Sequence, residues 1–267
     1  MWSKPGVTRQ TAACGRTPFR NLIGRPALDL PATPAATVSP DQQVRTGARL
    51  IVEIQIPALE RHANGFPDHW INILFRGNRP DNWQSHAIVT TYVRLVEGAY
   101  AHYEMGRQQV GEVWNNHSRL GIGAHNLSAT FFEDCFSSMH RAVLCMERIR
   151  GYKEVPDDLK RLVPSRPAFT TPAIADRIRD VRHAVQHMDN FVLKGDIPVG
   201  TNFMLTATGP VTPSPRPGQP DQMLKTIDRL VIGDNHVLFS EVVAWLYEMG
   251  DCAADIAAYA PEAVAGA

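Results

Sequence analysis

The chain is poor in cysteine, and its four cysteines, Cys14, Cys135, Cys145 and Cys252, form no CxxC pair. Cys135 and Cys145 fall on one expected helix about 15 Å apart, too far to bridge. This argues against a disulfide framework and for a reducing, cytoplasmic setting. Net charge is absent as well: 27 Lys and Arg balance 27 Asp and Glu. No global field therefore draws the chain to nucleic acid or anionic membrane. No apolar run approaches the roughly 18 residues of a membrane span, so a soluble protein with no membrane partner is expected. The basic N-terminus (Lys4, Arg9, Arg16, Arg20, Arg25) has no apolar core of a secretory signal. A Walker loop, a dinucleotide-binding glycine fingerprint and a Gly-x-Ser-x-Gly elbow are all missing, which removes the common nucleotide and hydrolase readings.

What is present is a chain of 267 residues, 44% hydrophobic and 20% charged, enough to bury a core. Residues 1–40 are rich in Pro, Ala, Thr, Gly and Arg without periodicity and read as a disordered extension. Their composition superficially resembles an organellar presequence; a start codon assigned too far upstream would look the same. Residues 42–259 read as a single helical domain and 260–267 as a tail. Charge is unevenly spread: basic residues outnumber acids between Arg141 and Arg182, and the chain from Asp228 onward is acidic. Such a split permits a polyanion-binding face without requiring one.

Helical periodicity carries most of the domain. Residues 42–63 follow a helical pattern that Pro57 should kink or divide. A short apolar stretch, Trp70 to Phe75, precedes the turn Gly77-Asn78-Arg79-Pro80. Over 83–105, Val89, Val93, Val96, Tyr100 and Tyr103 alternate at spacings of four and three, the seam of a helix packed lengthwise on another. Asn126 is expected to cap a helix over 127–150, with Phe132, Cys135, Met139, Ala142, Met146 and Ile149 buried and Gly151 ending it. A further helix, 172–193, has Pro172 in its first turn and Ile174, Ile178, Val181, Val185 and Met188 as its buried stripe.

Residues 201–239 change character. Phe203 to Thr208 reads as a strand, 210–220 as a loop, and Ile227–Ile232 with His236–Phe239 as a hairpin about Gly233-Asp234-Asn235. Ser240 should cap the last helix, 241–258. The expected fold is therefore mainly α: a bundle of at least four helices with a small antiparallel β-meander inserted before the last, and with helices 172–193 and 241–258 adjacent.

The chemistry concentrates in Arg182-His183-Ala184-Val185-Gln186-His187 on helix 172–193. At about 100° per residue, Arg182, His183 and His187 project away from the apolar stripe, with the two histidines one turn apart. The plain alternative is a solvated helix face that happens to hold these residues. His183-x3-His187 also has metal-ligand spacing, but it lacks the Glu of a zinc peptidase and a recognisable third ligand, so no cofactor or metal is expected. The remaining histidines show no spacing signature. Trp70, Trp83, Trp114 and Trp245 read as core aromatics, and Asp251 with Asp255 as a solvated helix face.

The hexapeptide resembles the motif of the HEPN superfamily (higher eukaryotes and prokaryotes nucleotide-binding). In these helical bundles an Arg, a polar residue and a His four to six positions after the Arg mark metal-independent ribonucleases. The resemblance spans about 170–259; residues 42–169 share only helicity with the family. It implies RNA as substrate, cleaved by attack of the 2′-hydroxyl on the adjacent phosphate. His187 would be the acid/base, Arg182 the phosphate anchor and His183 the polar residue that orients them. It further implies a homodimer that brings two such sets together, and a toxin or defence role restrained by an antitoxin protein. The chemistry is coherent in itself, because imidazole carries protons near neutrality and guanidinium binds phosphate as a fork. A catalytically inactive module that dimerises or pairs with a partner protein is the alternative.

Overall fold

Two long helices form the backbone of the structure, a computed structural model that describes residues 49–115, 121–197, 201–213 and 222–261. Helix α2 (Trp83–Asn115) and helix α3 (Ile122–Gly151) run antiparallel, as Gly106 lies against Phe132, Gly98 against Ser138, and Ser85 beside Glu154. Their seams are those read from the periodicity. Val89, Val93, Val96, Tyr100 and Tyr103 of α2, with Phe132, Cys135, Met139, Ala142, Met146 and Ile149 of α3, are all buried. Helix α6 (Phe239–Ala257) lies against α2 and is buried around most of its circumference. The Tyr92 and Tyr100 hydroxyls of α2 donate to the Met249 and Leu246 carbonyls, each at 3.0 Å. Tyr103, Phe132 and Phe239 make a three-ring cluster with centroids 5.4–6.4 Å apart, the distance at which tilted and edge-on aromatic pairs are favourable.

The fold is mainly helical, with a small strand region before its last helix. The strands form two three-stranded sheets. In one, β4 (Gln222–Ile227) lies between β3 (Val211–Pro213), antiparallel, and β1 (Arg49–Ile54), parallel, with Ile51 opposite Leu224. In the other, β5 (Arg229–Ile232) pairs antiparallel with β2 (Thr206–Thr208) and with β6 (Asn235–Leu238). The β5–β6 hairpin turns on Gly233-Asp234 with Gly233 at φ +54°, which a two-residue hairpin turn demands of its first central residue.

Several sequence expectations are corrected. Residues 49–54 are a strand and not part of a helix over 42–63, because Ile51, Val52 and Ile54 are β-branched and find a ladder partner in β4. Pro57 follows outside any helix or strand, its carbonyl accepting the Tyr103 hydroxyl at 2.8 Å. Residues 42–48, the extension 1–40 and the tail beyond Pro261 lie outside the described residues. The apolar stretch at 70–75 is built from α1 (Pro67–Ile71) and a π-helical turn (Asn72–Arg76), ended by Gly77 in the left-handed region.

Helix α3 begins five residues before the expected start. The His125 N–H reaches the Gly121 carbonyl at 2.8 Å, and Asn126 sits inside the first turns with its carbonyl accepting the Thr130 hydroxyl. Of the strand expected over 203–208 only Thr206–Thr208 joins a ladder, since the Leu205 N–H is taken by Glu133 of α3 at 3.1 Å. Ser240 does not cap α6; Leu238 occupies that position and its N–H donates to the Glu241 carboxylate at 3.0 Å. Trp83 is exposed and not a core aromatic. Asp251 is paired, accepting from Arg61 at 3.1 Å and lying 2.9 Å from His62 Nε2.

Helix α5 (Pro172–Lys194) matches its expected extent. It ends on Gly195, φ +75°, where the Asp196 N–H bonds Phe191 and the Gly195 N–H bonds Val192, the double bond pattern of a left-handed glycine cap. A short helix, α4 (Asp157–Leu162), and a single 3₁₀ turn (Ala168–Thr170) bring the chain to its start. Its apolar stripe, led by Ile178, Val181 and Met188, packs chiefly on α3. The expected adjacency to α6 is not found along the helices, because α5 packs on α3; only side chains near its start reach α6, where Arg177 meets Glu241 and lies 5.5 Å from the Trp245 ring.

Candidate functional site

Because α5 buries one face against α3, the residues between stripe positions are left to the opposite side. His183, Gln186 and His187 are exposed, and Arg182, beside the stripe residue Val181, is half-buried. His183 and His187 lie with ring centroids 6.5 Å apart and planes nearly perpendicular. Together with Gln186, Asp189 and Asn190 they line an open depression of about 480 Å³. Arg182 does not line it. Five residues along a helix amount to a rotation of roughly 140°, so Arg182 and His187 of one chain leave α5 on different flanks.

Sequence spacing missed His140. It sits on α3 next to the buried stripe residue Met139, and its ring centroid is 6.4 Å from that of His183. Its Nδ1 is buried and has no hydrogen-bond partner among the described residues. Burial pushes the His140 imidazole below its ordinary range, and the positive charges of Arg182, His183 and Arg179 push the same way. A signal was present in the pattern, since a residue flanking a helix–helix seam must meet the neighbouring helix. Nothing local says which neighbour it meets.

The charges around this face are divided. Arg179 is occupied by Asp176 at 2.8 Å and by Asp180 at 3.2 Å. Among the described residues no carboxylate pairs with Arg182. An acidic corner adjoins the histidines, since Asp189 lines the same depression. Burial pushes the Glu133 carboxyl up despite its hydrogen bond from Leu205, with Asp189 and Asp134 adding to the effect. The face thus offers imidazoles that can carry protons and a guanidinium with no carboxylate partner among the described residues. Among the described residues, no three His, Cys, Asp or Glu side chains come together so as to hold a metal ion.

Among the described residues no helix is long and apolar enough to cross a membrane. Cys135, Cys145 and Cys252 are free thiols. No protein-family model matches the chain, and searches of curated proteins and of solved structures return no match to it.

Proposed function

We propose that the chain is a metal-independent endoribonuclease of the HEPN type, acting as a homodimer. The observation that carries this reading is the division of labour on α5. Ile178, Val181 and Met188 hold the fold, while His183 and His187 are exposed and Arg182, half-buried beside the stripe, has no carboxylate partner among the described residues. Cleavage by an RNA 2′-hydroxyl needs a group to take its proton, a group to protonate the leaving 5′-oxygen, and a cation at the phosphate. His187 is assigned the proton transfers, Arg182 the phosphate and His183 the orientation of both. Since Arg182 and His187 of one helix diverge by roughly 140°, a second copy completes the set.

The divergence also favours a second reading, an inactive binding module that pairs with a partner protein. Incubating RNA with the wild type, Arg182→Ala and His187→Ala separates the two. The nuclease reading expects products with 2′,3′-cyclic phosphate ends, lost by a factor of about 100 to 10,000 in either variant. Equal cleavage by wild type and His187→Ala, or no cleavage by an intact dimer, overturns it.

A further inference from the structure

The row of rings on α5 does not end at His183. His140, His183 and His187 are spaced 6.4 and 6.5 Å between successive centroids, a line of three imidazoles that crosses from α3 to α5. At that spacing neighbouring rings do not bond each other directly. A ring nitrogen lies about 1.2 Å from its centroid, so a direct N–H···N bond of about 2.9 Å would bring centroids to roughly 5 Å. An oxygen that accepts from both rings would lie to one side of the line between them.

The charges decide what kind of oxygen it is. The side chains whose charge acts on the His140 ring, Arg179, Arg182 and His183 of α5, all push it toward the neutral form. Arg179 is neutralised by Asp176 and Asp180, which leaves Arg182 as the cation that a ligand beside His140 meets. An anion with several oxygens finds a guanidinium without a carboxylate partner among the described residues, and a buried imidazole nitrogen, His140 Nδ1, with no bond of its own. An unmade bond at a buried polar atom costs about 1–3 kcal/mol, and a ligand that makes it recovers that.

We propose that the surface where His140 of α3 meets His183 of α5 is an oxyanion site of the phosphate class, in which His140 joins His183 and Arg182 as a ligand-contacting residue. The inference rests on the reading of α5 as the phosphate-handling face and adds to it a residue from a second helix. It also gives that helix pair a function-linked reason to hold its register, since a slide of one turn would separate His140 from His183.

The test uses the full-length protein and inorganic phosphate as the probe, followed by the imidazole proton resonances of the three histidines. Phosphate is expected to shift the His140 and His183 signals saturably and to leave unmoved the signal of His125, about 22 Å back along α3. His140→Leu should weaken binding about tenfold, the loss of one hydrogen bond to a charged group. His140→Asn, which keeps an N–H close to the Nδ1 position, should retain most of it. Thermal melts alongside identify a variant that fails to fold. Absence of a saturable shift in the wild type, or equal affinity in the wild type and His140→Leu, overturns the site. Phosphate binding that depends on His140 in a protein that cleaves no RNA keeps the anion site and removes the nuclease reading. RNA cleavage unaffected by His140→Leu does the reverse.

Discussion

Arg177 of α5 and Glu241 of α6 meet as a two-point ion pair, with Nη2 donating to Oε2 at 3.0 Å, while the same carboxylate accepts the Leu238 N–H at the start of α6. One side chain therefore caps a helix and ties it to another across the strand insertion. Burial pushes the Glu241 carboxyl up, but the hydrogen bonds from Arg177 and the Leu238 N–H outweigh it and hold the carboxyl below its ordinary range. Glu241→Ala is expected to cost about 1–2 kcal/mol, chiefly from the lost cap. Glu241→Gln, which still accepts the Leu238 N–H, should cost less. Denaturant melts of both variants check the order, and equal losses would show that the cap contributes nothing.

Gly106 allows α2 and α3 to approach at the aromatic cluster. A Cβ built there would lie 2.8 Å from Phe132 Cε1, and Phe132 is fully buried between Tyr103 and Phe239. Gly106→Ala should therefore destabilise by about 1–3 kcal/mol through overpacking, although alanine is the better helix former. A rise in melting temperature would mean that the ring has room to move.

Burial pushes the His69 imidazole from 6.5 down to about 4, against the attraction of Glu97 and with a further push from His86. The folded protein keeps His69 neutral down to about pH 4, whereas the unfolded chain takes up the proton near pH 6.5. Stability is then full above pH 6.5 and falls as the pH drops through the window from 6.5 to about 4. Between pH 7 and pH 5 the loss from this group is about 2 kcal/mol. His69→Gln should show a shallower fall by that amount in urea titrations at the two pH values, and an unchanged pH dependence counts against the assignment.

Neighbouring positions on α5 should separate fold from function. Met188 is buried on the stripe while His187 is exposed. Met188→Ala is expected to cost about 2–5 kcal/mol, and His187→Ala to stay within about 1 kcal/mol. Under the proposed function, the second substitution removes RNA cleavage and the first leaves it at permissive temperature. A His187→Ala protein that melts far below the wild type would place this residue in the packing.

Cleavage is expected to survive chelator. Among the described residues, His183 and His187 form no group with a third His, Cys, Asp or Glu that could hold a metal ion, and Arg182 adds positive charge at the neighbouring His140. Activity that disappears with EDTA and returns with one divalent metal would replace the proton-transfer scheme with a metal-based one.

The sequence by itself determined the helices that bury a stripe. The seams of α2 and α3, the extent of α5 and the faces of Arg182, His183 and His187 follow from spacings of three and four. Such spacings are local, because each residue's direction is set by the turn beneath it. The glycine turn at Gly233-Asp234 was legible for the same reason, being a position where a positive φ favours glycine. Tertiary structure alone decided the rest. Residues 49–54 became a strand because β4 supplies hydrogen-bond partners from far along the chain, Arg49 opposite Gln222. The start of α6 was settled by the Glu241 carboxylate, held from across the insertion by Arg177. His140 stands beside His183 because the rotation and register of α3 against α5 put it there. Packing between helices fixes those two quantities by fitting side chains into the facing groove, and no pattern within either helix encodes them.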